Sequence, residues 1–248
     1  PAKHDDAGKM RLAIDTQFLS MLEKEAYNNG ETALADEVRG YLQNAIDELY
    51  LFHYRNGYGD QFQYPSLSLS VQAMIFARRY NYDRLTSKRQ TRVELLRKNG
   101  RDSLVDFYVN EIHSPSGMTY QEVVQSQEYR KPSSYVPWYT LNIVALMGAT
   151  LALDSYLIHH EVYGYSDPTS YPYRNIISEI GNYVRAMDYD TFVGAGRENK
   201  YGGGGPKASY VITGYCSWVG MAEAMMSFGT VYPSSIKSHN SSVFTSEA

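Results

Sequence analysis

Between Trp138 and His160 the chain reads WYTLNIVALMGATLALDSYLIHH, and from Leu141 to Leu153 only Asn142, Gly148 and Thr150 depart from Ile, Val, Leu, Met and Ala. A helix that is apolar on every side must be sheltered, either by a large protein core or by a bilayer. Pro137 precedes the run, where a fixed φ and a missing donor suit a first helical turn. The run is 13 residues long before Asp154 interrupts it, against the roughly 20 that a membrane span needs. Stretching it to residue 158 places Asp154 inside, at about 2.5–3.5 kcal/mol if central. The length therefore predicts a buried helix over about 137–163. A single membrane-spanning helix over 138–158 is the alternative.

The segments around this run carry helical periodicity. Leu12, Phe18, Leu19 and Leu22, with Met21 beside them, predict a first helix that ends at Asn28-Asn29-Gly30. Leu34, Val38, Tyr41, Leu42, Ala45, Ile46 and Leu49 form the clearest amphipathic pattern of the chain, closing near Asn56-Gly57. Further helices are expected over 67–80, with Val71, Met74, Ile75 and Phe76 inward, over 84–98, and over 102–113 after a break at Asn99-Gly100. Helical patterns return at 174–188 and at Trp218–Phe228, which holds Met221, Met225 and Met226. The expected fold is mainly α: a multi-helix bundle around the central apolar helix, with extended N- and C-terminal arms and a Gly-rich loop. It reads as one helical domain over 1–248. The linker Lys131-Pro132-Ser133-Ser134 could divide it into halves 1–130 and 137–248, but each half would need the central helix to cover its core.

Charge is distributed unevenly. Residues 78–101 hold nine Lys or Arg against Asp83 and Glu94, a local +7, so the rest of the chain carries −11 to reach the net −4. Arg84, Lys88 and Arg92 lie four apart, the spacing of one helical face. Tyr80 and Tyr82 stand beside the strip, where they could stack on bases. Arg78, Arg79, Arg84, Lys88, Arg89 and Arg92 are thus the candidates for a sequence-blind contact with a nucleic-acid backbone. The competing expectation is a solvated face, or a patch that pairs with an acidic patch of a neighbouring subunit such as Glu23–Glu25 or Asp36-Glu37.

Motifs for chemistry are thin. Gly202–Gly205 followed by Pro206-Lys207-Ala208 lacks the second glycine and the Ser/Thr of a phosphate-binding loop. His159 and His160 are adjacent and point to different faces of a helix, unlike the i, i+3 or i+4 spacing of metal ligands on a helix. The one cysteine, Cys216, leaves no internal disulfide and no Cys-based zinc site. No carboxylate pair or nucleophile–base pattern emerges, so no catalytic residue, cofactor or metal is assigned. No apolar stretch of signal-peptide length stands near Pro1, and intracellular synthesis is the expectation.

Tyrosine is the odd component, with 24 of 248 residues. Its apolar body and polar tip suit surfaces that meet other protein. Taken together, these features predict a non-enzymatic structural subunit of a large homo-oligomeric assembly, of the viral coat, capsid or head–tail kind. It would sit in a virion or an intracellular assembly, with its arms exchanged between neighbours and its partners further copies or other subunits. An accessory subunit of a membrane-embedded energy-converting complex is the second expectation. A soluble helical enzyme with a dispersed site is the third.

Overall fold

A computed structural model describes residues 6–58, 64–109, 146–165 and 173–177. Among these residues 88 % are helical and none is in a strand, so the protein is an all-α, multi-helix fold. The helices are α1 (Asp6–Asn28), α2 (Thr32–Arg55), α3 (Tyr64–Tyr80) and α4 (Ser87–Phe107), with a short 3₁₀ turn at Tyr82–Arg84. A fifth helix, α5, runs α-helically over 146–153 and continues as π-helix over Asp154–His160. The arms at 1–5 and 233–248, the linker, the Gly-rich loop, Cys216 and the methionine-rich segment lie outside the described residues.

Two helix ends are set by glycine. Gly30 takes φ +76°, with Gly30 N–H donating to Tyr27 O at 3.1 Å and Glu31 N–H to Ala26 O at 2.9 Å. This is the paired closure of a Schellman motif, which a side chain with Cβ resists. Gly57 does the same after α2, at φ +68°, with Tyr58 N–H donating to His53 O at 3.0 Å.

Contact clustering divides the chain into two compact units, one of residues 1–103 and 157–163, the other of residues 104–156 and 164–248. In the first, α1 packs along both α2 and α3. Every residue of α3 from Tyr64 to Ala77 is buried. The periodicity predicts only one inward face there, because Ser66, Ser68, Ser70 and Gln72 lower the apparent hydropathy. Leu67, Leu69, Val71, Met74, Ile75 and Phe76 supply the apolar burial, each worth about 1.5–3 kcal/mol.

The break expected at Asn99-Gly100 does not occur, and α4 runs through it. A Cβ on Gly100 would stand 2.5 Å from Val71 Cγ2 and 3.1 Å from Leu67 Cδ1. The glycine is there to let the α4 backbone lie against α3, not to stop the helix.

In the second unit Ala149, Leu151, Ala152 and Ile177 form a buried cluster joined by Val105, Tyr156, Tyr173 and Ile176. The central apolar run is therefore protein-buried where it is described. Thr150 and Ser155 satisfy their hydroxyls by donating to the carbonyls of Leu146 and Leu151, at 2.8 and 2.9 Å. Asp154 is also buried, where the helix widens to its π turns. No helix among the described residues is long and apolar enough to cross a membrane.

Candidate functional site: an arginine strip and an outward apolar face

Five of the six candidate nucleic-acid cations are held by carboxylates of the same chain. Arg84 is not on α4, as the four-residue spacing predicts, but in the preceding 3₁₀ turn. Its Nε donates to both carboxylate oxygens of Glu23, at 2.9 and 3.1 Å. Glu23 lies on α1 and is fully buried. It also accepts from Arg39 Nε of α2 at 3.0 Å and from Asn81 Nδ2 at 2.6 Å. Asn81 donates as well to the Ser20 carbonyl at 3.0 Å. Burial alone would raise the Glu23 pKa; the hydrogen bonds from Arg84, Asn81 and Arg39 reverse this and hold it below the usual carboxylate value.

The remaining arginines follow the same pattern. Arg89 Nη2 lies 2.7 Å from Asp47 Oδ2, and Arg92 pairs with the other oxygen of the same carboxylate. Arg78 Nε donates to Glu94 Oε1 at 2.8 Å, and Arg79 pairs with Glu161. Glu94 also receives Arg97 at 2.9 Å and Lys98 at 3.5 Å. Burial would raise its pKa too, but the bond and charge of Arg97, with the charges of Lys98 and Arg78, bring it down. Lys88 is exposed and has no carboxylate partner among the described residues.

The tyrosines of the strip stack on its own arginines. The Arg78 guanidinium lies 4.0 Å from the Tyr82 ring centroid, Arg79 4.8 Å from Tyr80, Arg84 4.4 Å from Tyr27 and Arg92 5.4 Å from Tyr50. Rings expected to meet bases thus meet guanidinium faces, a contact worth about 0.5–1 kcal/mol at an exposed site. Part of the tyrosine excess is explained inside the fold.

His53 is a core residue. It is buried on α2 and shares a 3.0 Å hydrogen bond with Ser70 Oγ of α3. Burial first, and the charge of Lys9 second, lower its pKa to about 3. It sits in the core as a neutral bridge between helices. His159 is buried and packs edge-on to Tyr163 with centroids 5.6 Å apart, while His160 is exposed. No group of three or more His, Cys, Asp or Glu placed to hold a metal occurs among the described residues.

The larger departure from expectation is on α1. Of the predicted apolar stripe, Leu12, Leu19 and Leu22 are half-buried and Phe18 is exposed. The fully buried residues are Met10, Ala13, Thr16, Ser20, Glu23 and Ala26. Ile14, Phe18 and Met21 point outward, exposed by 38, 61 and 44 %. Beyond Met10 the inner face is small, because α1 approaches two helices at once, and polar, because it carries the Glu23 anchor. Periodicity analysis ranks faces by hydropathy and so selects the flank of the buried face rather than its centre. The signal that could have found the inner face is the 3-4-3 spacing of Ala13, Thr16, Ser20 and Glu23, compact residues closing on one buried charge. On α2, Leu34, Tyr41 and Tyr54 are likewise exposed.

Compared with protein families, with characterised proteins and with solved structures, the chain matches none.

Proposed function

We propose that the chain is a non-enzymatic structural subunit of a large homo-oligomeric assembly, of the coat or head–tail kind that viruses build. The observation that carries this reading is the outward face of α1. A helix in a self-sufficient globule turns its largest apolar side chains to the core. Here Ile14, Phe18 and Met21 face water at helical spacing, while among the described residues of α1 Met10 alone of the large apolar side chains is fully buried, beside a carboxylate and two hydroxyls. Three large apolar side chains in one row are suited to a protein surface that covers them. Their burial, at about 25 cal/mol per Å² of apolar area, is a driving force for association.

The internal pairing of the arginines supports the same reading. It lowers the local charge that would keep copies of the chain apart, and it ties α1, α2 and α4 together. A phosphate-backbone contact is a separate proposal. It rests on Lys88 and on guanidinium nitrogens that the carboxylates leave unused.

Negative-stain electron microscopy of the purified chain tests the proposal. Regular particles, tubes or sheets are the expected outcome. A field of isolated, monomer-sized globules at every concentration would overturn it.

A further inference from the structure

The outward face of α1 carries charge as well as apolar surface, and the two are arranged symmetrically about one residue. Arg11 lies seven residues before Phe18 and Glu25 seven after it. Seven residues are about two turns, so the two charges lie about 10 Å to either side of Phe18 along the helix. Both are exposed on the side of Ile14, Phe18 and Met21. Among the described residues Arg11 has no carboxylate partner, and the Glu25 carboxylate accepts one bond, from Asn29 Nδ2 at 3.3 Å.

We infer that α1 is a self-complementary docking surface whose occupant is the α1 helix of a second copy of this chain, lying antiparallel across a two-fold axis at Phe18. A two-fold contact brings residue i of one copy to residue j of the other, and j back to i. Antiparallel pairing centred on Phe18 places the two Phe18 rings together and Ile14 opposite Leu22, with Met21 diagonal to Ile14 and across from Asp15. It also sets Arg11 of each copy against Glu25 of the other, once at each end. The same sequence paired in parallel would set Arg11 against Arg11 and Glu25 against Glu25, a like-charge arrangement that disfavours that register. A lipid surface fits less well. Helices that lie in a membrane interface carry Lys and Arg along the polar face, whereas the ends of this stripe are oppositely charged.

The inference rests on the assembly reading and specifies one contact within it. The test is sedimentation velocity on the full chain over a concentration series, with circular dichroism and thermal melts on each variant. Phe18 is exposed, so Phe18→Glu is expected to keep the wild-type melt and to weaken self-association by more than about tenfold. Arg11→Glu alone and Glu25→Arg alone each place like charges at both ends and are expected to weaken it. The double variant R11E/E25R restores the opposite pairing and is expected to recover most of the loss. That recovery is specific to an antiparallel contact between copies, since a different partner would see both ends reversed. A double variant no better than the singles, or a Phe18→Glu chain that associates like wild type, would overturn the inference while leaving assembly through another surface intact. A wild-type chain that stays monomeric yet floats with neutral phosphatidylcholine vesicles would overturn both the pairing and the assembly reading.

Discussion

Arg84 and Glu23 lie 61 residues apart in sequence and meet with Arg84 Nε 2.9 Å from Glu23 Oε1, the carboxylate fully buried and the guanidinium largely so. With Arg39 on the same carboxylate, this contact joins α1, α2 and the turn after α3 at one point. An isolated buried ion pair often contributes little net stability, but removing one partner strands the other charges. Glu23→Gln keeps the shape and leaves two guanidinium groups facing a neutral amide. Both arginines retain some solvent access, so the lower end of the usual cost applies, about 3 kcal/mol. Urea unfolding checks this, and a loss below about 0.5 kcal/mol, the scale of ordinary surface substitutions, would mean that the anchor is not structural.

Acid should destabilise the fold in two separable stages. Glu23 and Glu94 have folded pKa values below their ordinary 4.5. Their ion pairs therefore contribute fully above about pH 4.5, and the contribution is lost as pH falls through the lowered folded values. His53 acts in a different window, because its folded pKa of about 3 lies below the ordinary 6.5. The unfolded chain takes up this proton below pH 6.5 while the folded chain stays neutral, so stability falls from pH 6.5 towards about 3. His53→Gln is expected to flatten the urea midpoint between pH 6.5 and 4.5 and to preserve the drop at lower pH. An unchanged slope in the upper interval would show that His53 gains its proton without unfolding.

Gly100→Ala sets two effects against each other. Alanine favours a helix interior over glycine by up to about 1 kcal/mol. The new methyl group meets Val71 Cγ2 at 2.5 Å inside a packed interface, and such overpacking costs about 1–3 kcal/mol. The expected result is a lower melting temperature. A higher one would mean that α4 shifts away from α3 without loss.

For nucleic acid, the structure separates two substitutions that the sequence treats alike. Lys88→Glu is expected to leave the thermal melt unchanged. If the strip touches double-stranded phosphate, it should also lower the slope of log affinity against log salt by at least about 0.9, one contact's worth. Arg84→Glu is expected to lower stability, because it places a second carboxylate against Glu23. A stable Arg84→Glu chain with a reduced salt slope, beside an unaffected Lys88→Glu, would invert these roles.

Much of the helical frame is legible in the residues. Gly30 and Gly57 announce left-handed helix ends because few side chains tolerate that geometry. The stripe Val38, Leu42, Ala45, Ile46 and Leu49 announces α2, whose buried face it forms. What stays hidden has a common physical origin. The serines of α3 sit in a fully enclosed helix and make it look half-polar. Beyond Met10 the buried face of α1 is small and ionic, so hydropathy favours residues to its side. Apart from Glu94, the partners of the arginine strip lie outside it, Glu23 on α1, Asp47 on α2 and Glu161 after α5, and charge counted along the chain cannot show neutralisation across it. The outward stripe on α1 was visible all along as apolar residues, but only the fold shows which way they face.

Sedimentation velocity of the unmodified chain from micromolar concentration upward measures self-association most directly. Assembly through exposed apolar surface predicts sedimentation coefficients that rise with concentration well beyond those of a 28.2 kDa particle. A single species of that mass across the whole range would contradict it.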